Sequence, residues 1–222
     1  MEEVRIMLPM GRIIICLLLG YCFGMIPNGY LYCKARGVDI YGVGSGNPGS
    51  TNVLRTLGPR AGVTVLLLDI AKTLLPILIL HMLWKPADPD TATMITLYTG
   101  IGAILGHNFP VIPGLKGGKG VACTGALCLA LCLPQGICLF LLFLAIAAAT
   151  RYVSLASCTA VSMLFVSTLL LGKTGLLPFT PAIYGRVCIL TFLVAALCVF
   201  QHRSNIRRLM NGTENKLGAK KQ

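Results

Sequence analysis

The sequence predicts an all-α integral membrane protein with seven transmembrane helices. Three observations predict it: 55% of the 222 residues are hydrophobic, only 12% are charged, and the apolar residues are gathered into runs of membrane-spanning length. A mean hydropathy of +0.79 makes lipid the main solvent of such a chain.

The runs follow one another along the chain at residues 12–32, 61–84, a shorter 91–106, then 120–150, 152–171 and 183–201. A bilayer core takes about 20 apolar residues per helix. Glu2, Glu3, Arg5 and Arg12 precede the first run and no small-residue cleavage site follows it, so it is expected to be a retained helix. The run at 120–150 is either one tilted helix or two short ones broken at Leu133-Pro134-Gln135-Gly136, where proline removes a donor and glycine loosens the backbone.

Charge decides between these readings. With the break there are seven spans, and thirteen of the nineteen Lys and Arg residues fall on one side: Lys34, Arg36, Arg55, Arg60, Lys116, Lys119, Arg151 and the tail from Arg203 to Lys221. The other side holds Glu2, Glu3, Asp88 and Asp90 with Lys85 and Lys173. The basic side is cytoplasmic by the positive-inside rule, which puts the N-terminus outside and the C-terminus inside. Residues 1–222 read as a single polytopic domain without repeat or linker.

The same placement explains the formal charge of +12, so no nucleic acid is expected as a partner. Nine of the ten cysteines lie within apolar stretches without metal-type spacing and read as packing residues.

Three polar segments share the basic side. The first runs Gly44-Ser45-Gly46-Asn47-Pro48-Gly49-Ser50-Thr51-Asn52-Val53-Leu54-Arg55. Glycines admit an anion close to backbone N–H groups, the hydroxyls and amides add donors, and Arg55 can grip phosphate through two parallel bonds. It reads as a phosphate cradle or as an ordinary cytoplasmic turn, and the length of the polar run favours the cradle. The second is Gly106-His107-Asn108-Phe109-Pro110 followed by Leu115-Lys116-Gly117-Gly118-Lys119-Gly120-Val121-Ala122. It lacks the spacing of a P-loop, yet it sets two lysines and a flexible backbone at the start of the next helix, where orphan N–H groups favour anions. Two lysines serve equally as topology signals. The third segment is the tail, where helical spacing aligns His202, Asn205 and Leu209 on one face, points Arg207 and Arg208 elsewhere, and leaves Glu214 downstream. Its basic residues suit anionic headgroups; His202 and Asn205 call for another reason.

Within the bilayer, Asp69 and Lys72 lie three residues apart, about 12 Å of helix rise from the cytoplasmic end. They are expected to form a buried pair that shapes the site. Arg151 and Ser154 face the same side as the three polar segments.

Many donors and cations with few carboxylates point to phosphate as ligand. Only Asp39 and Glu214 are available as acids on that face, so no metal is expected. The HxxxxD pattern of acyl-CoA and acyl-carrier acyltransferases is absent, since the fifth residue after each histidine is Pro86, Ile112 or Arg207. A transporter or scramblase for phosphorylated metabolites or anionic lipids is the competing class, and it would carry more basic residues deep in its helices than Lys72 alone.

These segments resemble the bacterial glycerol-3-phosphate acyltransferases that use acyl phosphate, the PlsY family. The likeness rests on Gly44-Ser45-Gly46-Asn47 through Thr51-Asn52 to Arg55, on Lys116-Gly117-Gly118-Lys119-Gly120-Val121-Ala122, and on His202-Arg203-Ser204-Asn205-Ile206 on to Glu214. Asp69 with Lys72, His107 and Arg151-Tyr152-Val153-Ser154 are also similar, while Ser50 and Cys123 depart from the usual Ala and Thr. The resemblance implies a multi-pass protein of the bacterial inner membrane that makes lysophosphatidic acid from glycerol 3-phosphate and acyl phosphate at its cytoplasmic face, without a cofactor. It assigns Ser45, Arg55, Lys119, His202 and Asn205 to glycerol 3-phosphate. To acyl phosphate it assigns the backbone near Gly46, Asn47, Thr51 and Asn52, together with Lys116 and Ser154; Gly117, Gly118 and Glu214 complete the expected binding set. Either the leaving phosphate or His202 takes the hydroxyl proton.

Overall fold

Ten helices follow one another along the chain in a computed structural model, which describes residues 8–112, 114 and 116–218. Glu2, Glu3, Arg5, Leu115, Lys220 and Lys221, which entered the charge and motif readings, lie outside the described residues. The helices are α1 (Met10–Gly24), α2 (Asn28–Lys34), α3 (Ser50–Leu57), α4 (Pro59–Trp84), α5 (Pro89–Asn108), α6 (Val121–Leu131), α7 (Leu133–Thr150), α8 (Val153–Leu171), α9 (Tyr184–Gln201) and α10 (Arg203–Met210).

Among the described residues, five segments are long and apolar enough to cross a bilayer: Met10–Lys34, which joins α1 and α2, then α4, α7, α8 and α9. Leu18, Leu78, Met82, Phe140, Leu170 and Ile189 on these segments are each more than half exposed. An outward belt of large apolar side chains fits a hydrocarbon solvent and would be costly in water.

The first expected helix is interrupted. Pro27 removes a backbone donor, the helix stops at Gly24, and the chain restarts as α2, leaving the Ile26 carbonyl outside the helical ladder, where it accepts from Asn28 N at 3.0 Å and has room for a second donor. The expected break in the 120–150 run is also present: Cys132 is extended, at φ −152° and ψ 105°, and Pro134 lies in the first turn of α7, where its missing N–H costs nothing. α7 folds straight back along α6, so that a Cβ on Gly136 would come within 2.7 Å of the Leu129 backbone.

α1 packs on α5 through reciprocal small residues. A side chain at Gly20 or Gly24 would strike the backbone of Thr99 or Ala103, and one at Gly102 or Gly106 would strike that of Leu17 or Tyr21. Both helices thus carry glycines four residues apart, the spacing that lets helix backbones approach closely in lipid. The main core, including Cys16, Ile95, Leu97, Leu127, Leu164 and Val187, lies among α1, α5, α6, α8 and α9. A second, smaller core of Cys33, Ile40, Val53, Ala61 and Val65 sits under the first polar loop and fastens it to α2 and α4. All ten cysteines are free, and five of them are buried.

Candidate active site

The first polar segment is half loop and half helix. Gly44 and Gly46 take positive φ, +59° and +66°, which no side chain adopts cheaply, and a Cβ on Gly44 would also collide with the Asn52 amide. That amide organises the turn: Asn52 Oδ1 accepts from Ser45 N at 2.9 Å, and Nδ2 donates to Val43 O at 3.0 Å. Asn47 Oδ1 likewise accepts from Gly49 N at 3.0 Å. Both side chains shape the loop, and Asn52 is buried doing so. From Ser50 onward the segment is α3: the N–H groups of Asn52 and Val53 close onto the Gly49 carbonyl at 3.0 and 3.2 Å, and those of Ser50 and Thr51 form the N-terminal edge of the helix. Sequence reading treated the whole stretch as a loop; the helix escaped it because Val53, Leu54 and Leu57 supply too few apolar residues to set a period.

Long-range bonds bring the segments together. Tyr41 Oη meets both the carbonyl and the N–H of Lys116 at 3.1 Å, tying the first segment to the second. Lys119 Nζ donates to Asn205 Oδ1, tying the second to the third. Arg55 donates from one terminal nitrogen to the Asn215 carbonyl at 3.1 Å, tying the first to the tail. The Arg151 guanidinium forks onto the Leu217 carbonyl at 2.9 and 2.7 Å, and the Arg151 carbonyl accepts from Leu217 N at 2.7 Å.

Glu214 is the hub of the third segment. Its Oε1 accepts from Asn205 Nδ2 at 2.7 Å and Ser154 Oγ at 3.0 Å, while Oε2 accepts Arg208 Nε at 2.7 Å. Arg208 was expected to point away; instead Gly212, at φ +69°, turns the chain after α10 so that Glu214 comes back beneath it. His202 ends α9, 3% exposed, with Nδ1 2.8 Å from the Cys198 carbonyl. A donor proton therefore sits on Nδ1, which leaves Nε2 as the acceptor in the neutral ring.

Electrostatically the cluster is short of anions. Burial drives the Lys119 amine down to about 8 and the neighbouring Arg208 and Arg55 push the same way, while Glu214 opposes them. Arg55 is lowered as well: burial dominates, Glu214 opposes it, and Arg208 adds a smaller push downward. Its Nε is buried without a partner among the described residues. One carboxylate thus faces three cations, and an incoming dianion would relieve both the desolvation and the repulsion.

Beneath this cluster, Lys72 Nζ reaches Asp69 Oδ1 at 3.0 Å, Ile26 O at 2.8 Å and His107 Nδ1 at 2.9 Å. Asn28 Nδ2 adds a 3.0 Å bond to Asp69 Oδ1. The expected Asp69–Lys72 pair is present, and the roles of Ile26, Asn28 and His107 around it could not be read from spacing in the chain.

Residues 14–212 match the family model for glycerol-3-phosphate acyltransferase. This chain belongs to the glycerol-3-phosphate acyltransferase family. A glycerol-3-phosphate acyltransferase of Geotalea daltonii is 42% identical over 202 residues, 90% of this chain and 96% of that one. One from Rhodospirillum rubrum is 35% identical over 224 residues, covering 100% and 99% respectively. Crystal structures of PlsY, an integral membrane glycerol 3-phosphate acyltransferase, superpose with TM-scores of 0.78 for a glycerol 3-phosphate form and 0.76 for a lysophosphatidic acid form. They are 36% and 35% identical in sequence, each covers 93% of this chain, and the match spans 96% and 95% of those chains. The chain is an acyltransferase of this family and an all-helical integral membrane protein.

Proposed function

We propose that the chain transfers an acyl group from acyl phosphate to glycerol 3-phosphate, giving lysophosphatidic acid and inorganic phosphate, at the cytoplasmic face of a bacterial inner membrane. The observation that carries this is the link from Lys119 to Asn205 to Glu214, set beside Arg55: three segments far apart in sequence converge on one anion-deficient spot. α5 and α6 add two crossings to the five apolar spans, which gives seven, with the N-terminus outside and every polar segment on the C-terminal side.

Within this reading Arg55, Lys119 and the hydroxyl of Ser45 hold the phosphate of glycerol 3-phosphate, with His202 and Asn205 at its hydroxyl end. The open first turn of α3, near Thr51, and the Gly46–Asn47 backbone take the acyl phosphate with Lys116. Asn52, Ser154 and Glu214 act one layer back, through the bonds that fix the loop and Asn205. The glycerol hydroxyl attacks the acyl carbonyl carbon, the carbon–oxygen bond to phosphate breaks, and the departing phosphate carries off the hydroxyl proton. Backbone donors of the α3 turn stabilise the tetrahedral oxyanion, and no metal is needed because the cations screen the two phosphates.

The test is phosphate release by purified protein given palmitoyl phosphate and glycerol 3-phosphate without added metal, with palmitoyl-CoA as parallel donor. Release that requires glycerol 3-phosphate and yields lysophosphatidic acid from the acyl phosphate alone is expected. Product from the CoA donor alone would overturn the assignment of the leaving group.

A further inference from the structure

We infer that His107 is a positioning residue that sets the height of the Lys116–Gly120 loop, and that glycine is demanded at 118 by the helix end beneath it and not by the ligand above. The inference rests on the proposed role of Lys119, the residue after this glycine.

The loop lies on the last turn of α5. Gly118 N donates to the His107 carbonyl at 3.0 Å, and a side chain on Gly117 would overlap the carbonyl groups of His107 and Asn108. A methyl group on Gly118 would overlap His107 Nε2 and lie 2.9 and 3.0 Å from its Cε1 and Cδ2. A free side chain could swing aside from such a contact. His107 is held on the other edge of its ring by Lys72, and the ring is only 10% exposed.

That hold is itself fully determined. Lys72 Nζ has three donors and three acceptors: Asp69 Oδ1, the Ile26 carbonyl and His107 Nδ1. Nδ1 therefore accepts, which puts the ring proton on Nε2, the atom that faces Gly118. The Ile26 carbonyl is available because Pro27 breaks the first span, and α5 keeps its level through the glycine contacts with α1. An unbroken series of contacts runs from the Pro27 break through Lys72 and His107 to Gly118, and the next residue, Lys119, grips Asn205. Raising the loop by the depth of one methyl group would lift Lys119 off that partner.

The test uses H107N, G118A and the H107N/G118A double variant of the full chain, purified in detergent, with kcat and KM for glycerol 3-phosphate and the thermal unfolding midpoint measured for each. Asparagine places an acceptor near the position of Nδ1, so Lys72 keeps its third partner, and it lacks the outer ring edge that meets residue 118. G118A is expected to lose about 100-fold in kcat/KM by displacement of the loop, and H107N less than about tenfold. The double variant is expected to regain about tenfold or more over G118A, the positive coupling expected when removal of one group relieves its clash with the other. If G118A does not accumulate as folded protein, recovery of a folded double variant is the expected result. A double variant as inactive or as unfolded as G118A, or one whose losses multiply, overturns the inference and returns the glycine to the ligand side. K119A in the same assay separates the two levels: full turnover there means the site reading has failed, whereas an inactive K119A with no rescue in the double variant means that the positioning role alone has failed.

Discussion

Raising the pH from 7 to 9 should weaken the site about tenfold through Lys119. Burial brings this amine down to about 8 from an ordinary 10.5. The free enzyme then holds the cation in about nine-tenths of molecules at pH 7 and about one-tenth at pH 9, so kcat/KM for glycerol 3-phosphate should fall about tenfold. The substrate phosphate has its second pKa near 6 and stays dianionic throughout. The assay is phosphate release at subsaturating glycerol 3-phosphate in buffers of constant ionic strength, with K119R alongside. Arginine remains charged, so its profile should be flat over the same window at lower absolute activity. A flat wild-type profile, or an equal fall in K119R, would refute the reasoning. Stability moves the opposite way. Folded Lys119 releases its proton more readily than unfolded Lys119, so the ligand-free protein should gain up to about 3 kcal/mol between pH 8 and 10.5.

Arg55→Ala should raise the KM for glycerol 3-phosphate by about 30-fold or more with only a small change in the unfolding midpoint, because it removes a charge-assisted ligand contact and, within the protein, one exposed bond to the Asn215 carbonyl. Steady-state kinetics beside a melting curve check this. Glu214→Gln keeps the shape but removes the charge that holds Arg208, and proteolysis of the tail after α10 should quicken, read by mass spectrometry. Gly136→Ala should cost about 1–3 kcal/mol by prising α6 from α7, seen as a lower unfolding midpoint. Lys72→Met leaves Asp69 buried without its cation and should cost about 3–5 kcal/mol, while the Lys72→Met, Asp69→Asn pair should cost less than that single change.

How much of this was legible in the chain varied with the physics behind each feature. The apolar runs fixed the long helices because burial in lipid is a local property of composition, and Pro134 marked the start of α7 because a missing N–H is likewise local. Pro27 carried the same signal in the first span, where the continuous apolar run masked it. The glycines at 20, 24, 102 and 106 were visible as spacing, but that they face each other is a statement about two helices that no single stretch makes. In the site, the types of Arg55, Lys119, His202 and Asn205 could be read as anion chemistry. Tyr41, His107 and Arg208 could not, since each matters through a partner between 6 and 75 residues away. The helical face drawn through His202, Asn205 and Leu209 described the tail only in part: Asn205 is inward, but the turn at Gly212 brings Arg208 in as well.

The shortness of α6 bears on how a water-soluble acceptor and a greasy donor can meet. Its 11 residues rise about 16 Å, against about 27 Å for the 18 residues of α7, which begins at the same turn. The glycine-lysine loop therefore stops about 10 Å short of the level that α7 reaches. On the proposed reading this places the catalytic floor in a recess below the headgroup plane, open to water along the polar segments and to hydrocarbon at its rim. An amphiphile can slide its phosphate into that recess sideways with its tail still dissolved in the leaflet, and a product of the same shape can leave by the same route. In the proposed reaction neither would have to be lifted out of the bilayer, and the free energy of extracting a fatty chain would stay out of the barrier.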